Sequence, residues 1–507
     1  MMTDRLRRLP NRLQYLIVLL AGMTMPLALA PFFWWPIGVV SLLPLIILLY
    51  TAPSSMSAFV LAWSYAFGAF LTGVSWIYVS IHTYGGTPAW LAIFMVVAFA
   101  AALALIPAGW FMLRHRVFGK TGFWLTFPVF WFLHEWCRSW LLTGFPWLFL
   151  GDAHLHSWLS GWAPVLGSYG ISLFVALTAS ALWQALRLRE WRYLLVLLVW
   201  PIGWQLQSME WTQVNGELRV AAVQGNVRQD LKWLPESVQP TLDTYFRATR
   251  EHWQADLILW PETAVTLLND GFRPYQAMLA PEARANHTTV ITGIPFRYPA
   301  HHPLAGEFHN SLLAFGQSHG WYHKQRLVPF GEYVPLERQL RGLMPFFDLA
   351  MSSFLPGPSD QSLLPVLQRT DQTEKSYFIA PYICYEIAYP SLVRQMAKEA
   401  DLLITVSNDA WFGDSLGPKQ HLALAQMRAL ENQRYVLRAT NTGITALIDE
   451  RGNIVERLPY ERQATLTGVA QTRYGQTPYM RWGLIPLWLI SFCVLAGLGY
   501  PRLRAIR

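Results

Sequence analysis

AWLAIFMVVAFAAALALIPAGWFML, running from Ala89 to Leu113, contains no charged residue. About 20 mainly apolar residues are enough to cross a hydrocarbon core roughly 30 Å thick, so the stretch predicts a membrane-spanning helix near residues 88 to 113. Toward the N-terminus, no Asp, Glu, Lys or Arg occurs between Arg12 and Arg114. Apolar runs near residues 14–30, 36–51, 57–79, 121–140, 164–186, 193–209 and 481–500 give seven more candidates and an expected total of eight spans. The run at 14–30 follows Arg5, Arg7, Arg8 and Arg12 and ends in Ala28-Leu29-Ala30, which also reads as a cleavable signal peptide. Pro31 and the further spans weigh against cleavage.

The chain has 507 residues and is 53% hydrophobic and 14% charged, against roughly 25% charged in an average soluble domain. Residues 1–209 carry only 11 basic and 4 acidic residues, and the remaining 298 carry 28 and 27. Most of the net charge of +8 therefore lies in the apolar part and reads as membrane topology, not as a nucleic-acid face. The 25 tryptophans fit the same reading, because indole rings collect at headgroup level.

With the N-terminal arginines in the cytoplasm, the loops holding Arg114, Arg116 and Lys120 and then Arg187, Arg189 and Arg192 also fall on that side. Loops 31–35 and 80–87, on the opposite side, have no Lys or Arg. Residues 210–480 are then extracytoplasmic, and both termini are cytoplasmic. The expected division is a seven-helix domain over 1–209, an α/β domain over 210–480, and a last span and tail over 481–507. Glu135 and Arg138, three apart, share a helix face on which they can neutralise each other or meet a headgroup. The spans hold no chain of ionisable residues such as lines a transport path, which disfavours a transporter.

Beyond residue 217 short strand-like runs alternate with amphipathic helices, as in α/β layers. Strands are expected at 218–224, 256–260, 288–294, 310–316, 320–326, 377–383, 401–407, 436–448 and 465–471, and helices at 238–253, 273–286, 390–399 and 418–433. Three of these strands end in reactive groups: Leu257-Ile258-Leu259-Trp260-Pro261-Glu262, Trp321-Tyr322-His323-Lys324, and Phe378-Ile379-Ala380-Pro381-Tyr382-Ile383-Cys384. Strand ends converge on one rim of such a sheet.

A thiol with an ordinary pKa of about 8.5 needs a base or a nearby cation to attack a carbonyl. Glu262 can take its proton. Lys324, with a backbone N–H after the nucleophile, can stabilise the oxyanion, so the trio suits acyl transfer through a thioester. Each residue also has a plainer reading: Cys384 as a small buried hydrophobe, Glu262 as a turn residue, Lys324 as a solvated one. Cys384 is the only cysteine in the polar part, since Cys137 and Cys493 lie in or beside spans, which argues against a disulfide. His301, His302, His309, His319 and His323 show no repeated ligand spacing and are expected in solvated loops, so no metal site and no cofactor is expected.

In the order Glu, Lys, Cys, these residues resemble the carbon-nitrogen hydrolase (nitrilase) superfamily. So do Val223-Gln224-Gly225-Asn226, Trp260-Pro261-Glu262-Thr263, His309-Asn310-Ser311, Leu327-Val328-Pro329-Phe330-Gly331-Glu332-Tyr333-Val334-Pro335, Ile383-Cys384-Tyr385-Glu386 and Asn408-Asp409-Ala410-Trp411-Phe412. With spans before and after, the whole chain resembles the bacterial apolipoprotein N-acyltransferase family. That resemblance implies an αββα sandwich at the periplasmic face of the inner membrane, taking an acyl chain from a phospholipid, typically phosphatidylethanolamine. The acceptor it implies is the α-amine of the diacylglyceryl-cysteine that begins an apolipoprotein. It also implies Glu262 as base, Lys324 as oxyanion stabiliser, Cys384 as nucleophile and Glu332 as a further acid supporting them. Tyr385 and Glu386 would flank the nucleophile, Trp233 would contact substrate, and Asn310 would support the site. A monomer is expected. The runner-up is a membrane-anchored amidase or nitrilase-type hydrolase, for which one anchor would suffice.

Moving an acyl chain into water costs about 0.8 kcal/mol per CH₂, so such a site must meet lipid where it lies. The apolar stretch Leu343-Met344-Pro345-Phe346-Phe347-Asp348-Leu349-Ala350-Met351 is read as a mobile arm dipping into the outer leaflet, with core filler as the alternative.

Overall fold

In the computed structural model, residues 6, 8–329, 331–333, 354–369 and 374–506 are described. The expected arm at Leu343–Met351 lies outside them.

The first part is helical throughout. Its main helices are α1 (Asn11–Thr24), α2 (Leu42–Thr51), α3 (Ser55–Gly73), α4 (Ala89–Phe118), α5 (Phe123–Arg138), α6 (Ala163–Leu188) and α7 (Val199–Leu206). Three helical stretches among the described residues are long and apolar enough to cross a membrane: Ser55–Gly73, Ala89–Phe118 and Trp158–Leu188. Shorter apolar helices lie at Pro36–Thr51 and Ile485–Gly499. Near 193–209 the chain instead forms a 3₁₀ turn over Trp191–Leu198 before α7. Helix α4 exposes Trp90, Ile93, Phe94, Val97, Leu105, Leu113 and Val117. An apolar face of that extent is not left in water by a monomeric soluble protein.

Glu135 and Arg138 are both buried on α5, but each is engaged with the backbone of the loop that follows. Glu135 Oε1 accepts from Trp131 Nε1 at 3.0 Å and from Leu150 N at 2.9 Å. Arg138 Nη1 donates to Phe145 O at 3.0 Å and also to Trp147 O. The pair therefore shapes residues 145–150, a segment that also meets the second part of the chain, where Trp147 Nε1 donates to Gln420 Oε1.

The second part holds two six-stranded sheets. The first has the order β12-β1-β2-β3-β4-β5, from Ala464–Tyr474, Gln213–Gln224, Leu257–Leu259, Thr289–Arg297, Phe308–Gly316 and Gly320–His323. The second has the order β11-β10-β9-β8-β7-β6, from Ile454–Arg457, Ala446–Ile448, Val436–Thr440, Leu402–Ser407, Glu374–Ile383 and Leu364–Arg369.

Strand alternation explains the layers. Val220 and Ala222 of β1 face Leu402, Ile404 and Val406 of β8 across the inter-sheet core, while Ala221 and Val223 turn outward. The outward side of the first sheet is covered by α8 (Val238–Arg250) and α9 (Asn269–Ala285). The outward side of the second is covered by α10 (Pro390–Ala397) and α11 (Gly417–Asn432), which share one apolar core with the helices of the first part. The result is an αββα sandwich whose second helical layer rests on the helical part. A final helix, α12 (Ile485–Ile506), follows.

The strand expected at 436–448 is two strands, because residues 441–445 turn between β9 and β10. The sequence pattern predicts no strand at β6 or β11. Both are sheet edges, β6 carrying a proline and β11 being mostly exposed, so neither has an alternating apolar pattern.

Candidate active site

Strands β1, β2 and β3 run parallel, as do β7, β8 and β9, and two antiparallel turns bring β5 back to the direction of β3. The ends of β2, β5, β7 and β8 therefore share one rim, and Glu262, Lys324, Cys384 and Asn408 follow those strands.

Lys324 is 1% exposed, with Nζ 2.8 Å from Glu332 Oε1 and 3.4 Å from Glu262 Oε1. Asn310, at the start of β4, donates through Nδ2 to both carboxylates at 2.8 Å. Glu262 Oε2 accepts from Asn408 N at 2.9 Å, and Glu332 Oε2 from Val328 N at 2.8 Å. Each carboxylate is thus held at both oxygens. Burial opposes the charge on Lys324, but Glu332, Glu262 and the neighbouring thiol outweigh it and raise its pKa above the ordinary range.

Cys384 follows β7 and opens a short 3₁₀ turn (Cys384–Ala388), itself in the left-handed region with φ 53°. A non-glycine residue there costs roughly 1–2 kcal/mol, and such strain is held where the surroundings over-determine it. The bend lifts the half-buried thiol off the strand, with Ser407 Oγ 3.7 Å from Sγ. Burial pushes the thiol pKa up; Glu262 adds to that, while Lys324 draws it down. The resting sulfur is thus a thiol that needs a base at the moment of attack.

Glu386, fully buried, accepts from Ile383 N (2.8 Å), Gln325 N (2.6 Å), Arg326 N (3.2 Å) and Tyr322 OH (3.0 Å to each oxygen). It ties the turn after Cys384 to the segment after Lys324. Burial brings its pKa up to about 7, with those backbone donors opposing. Tyr385 points the other way, donating to Gly144 O of the helical part at 3.0 Å, and its ring lies 6.4 Å from that of Trp147. Trp233 is 39% exposed in the segment after β1. Glu262, Lys324, Glu332, Asn310 and Cys384 come together, then, with Glu386 in the turn beside them, while Tyr385 turns to the helical part and Trp233 lies in the segment after β1.

Two features escaped the sequence reading. Lys232 is buried and donates from Nζ to the backbone carbonyl of Glu262 at 3.3 Å. Burial brings its pKa down to about 8, with Glu262 opposing. Beside Cys384, Asp409, His421 and Arg438 form a buried network: His421 Nδ1 is 3.0 Å from Asp409 Oδ1, and Arg438 Nη2 donates to Asp409 Oδ2 at 2.6 Å. Asp409 belongs to the stretch Asn408-Asp409-Ala410-Trp411-Phe412; a lysine beside Trp233 and a histidine inside a helix carry no spacing signal.

His309 and His323 are not in solvated loops as expected. They lie on β4 and β5 with rings 4.9 Å apart, because these strand positions face one another's side of the sheet. Among the described residues no cluster of three or more His, Cys, Asp or Glu could hold a metal ion.

Residues 21–181 match the apolipoprotein N-acyltransferase N-terminal domain, and residues 219–479 match the carbon-nitrogen hydrolase family. The chain is 44% identical over 496 residues to the apolipoprotein N-acyltransferase of Pseudomonas syringae pv. tomato, covering 95% of each chain. It is 44% identical over 506 residues to that of Azotobacter vinelandii, covering 97% of this chain and 96% of the relative. It is 39% identical over 482 residues to that of Coxiella burnetii, covering 93% and 96%. By similarity along nearly its whole length, the chain belongs to the apolipoprotein N-acyltransferase family, with its second part in the carbon-nitrogen hydrolase family.

Proposed function

We propose that this chain transfers an acyl chain from a phospholipid, typically phosphatidylethanolamine, to the α-amine of the diacylglyceryl-cysteine of apolipoproteins, the last step of lipoprotein maturation. The observation that carries the residue assignment is the strained Cys384 thiol at the rim where Glu262, Lys324 and Glu332 are hydrogen-bonded into one buried cluster.

In the first half-reaction Glu262 takes the thiol proton as Sγ attacks the ester carbonyl. The oxyanion draws on the Lys324 ammonium and a backbone N–H after Cys384. Collapse expels the lysophospholipid alkoxide, which receives the proton from Glu262, and leaves a thioester. In the second, the acceptor amine attacks the thioester carbonyl and gives a proton to Glu262. The departing sulfur recovers that proton, leaving an amide. Glu332 and Asn310 hold Glu262 and Lys324 in place, and Tyr385, Glu386 and Trp233 border the substrates.

The same reading has all eight apolar segments crossing the inner membrane of a bacterium. Residues 1–209 carry seven of them, 210–480 form the periplasmic catalytic domain, 481–507 contribute the last, and both termini are cytoplasmic. The apolar surface of α4 and the acyl chains of both substrates support a site at the bilayer surface. The chain acts as a monomer.

Purified protein mixed with acyl-labelled phosphatidylethanolamine should retain label that neutral hydroxylamine removes, and Cys384→Ala should retain none. Equal labelling of the alanine variant overturns the assignment. Adding a diacylated Cys-peptide should move the label to the peptide amine; release of free fatty acid regardless of peptide would mark a hydrolase instead.

A further inference from the structure

The backbone carbonyl of Cys384 is held by a side chain from a distant helix. His421, on α11, has Nε2 3.0 Å from Cys384 O. A carbonyl only accepts, so Nε2 carries the hydrogen. The ring's other nitrogen lies 3.0 Å from Asp409 Oδ1 and 3.2 Å from Arg438 Nη2. Asp409 is in turn held by Arg438 and by Ser407, whose hydroxyl also lies beside the Cys384 sulfur. All three of Asp409, His421 and Arg438 are at most 1% exposed. Burying an aspartate, a histidine and an arginine together demands a return, and the network reaches the nucleophile's residue twice, through Ser407 at the sulfur and through His421 at the carbonyl of a residue in the left-handed region.

We propose that His421, oriented by Asp409 and Arg438, is a positioning residue for acyl transfer, whose Nε2–H holds the Cys384 carbonyl and so keeps Sγ aimed at the substrate carbonyl. This rests on Cys384 being the nucleophile. His421 never touches substrate; it acts through the backbone turn. Without the clamp the φ 53° bend relaxes toward extended backbone, and Sγ swings out of line with Glu262 and Lys324. A misplacement of about 1 Å can cost on the order of 100-fold in rate.

Glutamine and asparagine separate this role from mere packing. The amide nitrogen of His421→Gln falls near the place of Nε2 and can still donate to the Cys384 carbonyl. That of His421→Asn falls near Nδ1 and cannot reach it. Acyl-enzyme formation from labelled phosphatidylethanolamine should be measured in single turnover as a function of donor concentration, with full-length protein. His421→Asn should lose roughly 100-fold in the saturating rate, with half-saturation moved less than about threefold. His421→Gln should stay within about tenfold of wild type. Equal rates for the two variants, whether both fast or both slow, would overturn the proposal, as would a loss confined to half-saturation. Should wild-type protein itself show no hydroxylamine-sensitive label, the fault lies with the nucleophile assignment and not with the clamp.

Discussion

Lys324 and Glu332 meet at 2.8 Å, closer than the 3.4 Å between Lys324 and Glu262. The buried ammonium therefore has a carboxylate of its own, and Glu262 is left with the weaker claim on it. In the proposed mechanism Glu262 must accept a thiol proton, and a tighter pairing with Lys324 would oppose that step.

Glu332→Gln removes this counter-charge while keeping the side chain's shape. Lys324 should then close on Glu262, and single-turnover acylation should fall by about 10²-fold, within the range of general acid–base contributions. Acylation at the wild-type rate would show that Glu262 needs no such relief.

The burial of Lys232 makes a pH prediction. Its pKa is lowered from an ordinary 10.5 to about 8, so between those values the unfolded chain binds more protons than the folded one. Stability must then rise with pH across that window, while below pH 8 the full penalty of the buried charge applies. A difference of that size corresponds to about 3 kcal/mol. Lys232→Met lacks this dependence, so the melting temperature of wild type should gain on that of the variant between pH 8 and 10.5. Parallel melting curves in both proteins across that range would refute it.

Gln420 joins the two halves of the molecule. Its Oε1 accepts from Trp147 Nε1 at 2.8 Å and Trp76 Nε1 at 3.1 Å, and its Nε2 donates to Gly73 O at 3.2 Å. Gln420→Leu leaves three buried polar groups without this partner, at about 1–3 kcal/mol each. The expected outcome is a lower unfolding temperature and faster proteolysis at the boundary between the helical and α/β parts, read by peptide mapping. Unchanged cleavage would mean the contact holds nothing.

Gly293 on β3 packs under the turn that carries Glu262. A Cβ there would meet Thr263 N, and would lie 2.5 Å from Pro261 O and 2.7 Å from the Glu262 Cα, all of them backbone atoms that cannot rotate away. Gly293→Ala should shift Glu262 and cut acylation by about 100-fold while alkylation of Cys384 by iodoacetamide persists. Wild-type acylation in this variant would show that the turn tolerates the displacement.

Much of the site is legible along the chain because strand ends are local features. An apolar run such as Leu257-Ile258-Leu259 stops where the reactive residue begins, and parallel strands bring such stops to one rim. Asn310 and Glu332 could be singled out only by resemblance, because nothing in their local pattern says that one amide will bridge two carboxylates. The edge strands β6 and β11 were missed because an edge need not alternate.

By itself, the sequence determined that a charge-free stretch from Leu13 to Leu113 belongs with lipid, that the polar remainder layers strands and helices, and that a carboxylate, an ammonium and a thiol close three of those strands. These follow from hydrophobic periodicity, which neighbouring residues suffice to express. Only the tertiary structure decided that Glu135 and Arg138 serve the backbone of the 145–150 loop, that Lys232 lies under Glu262, and that His421 reaches the carbonyl of Cys384. Each of these is a hydrogen bond whose partners meet because layers pack, and a buried donor takes the acceptor that packing brings within 3 Å or so, whatever its distance along the chain.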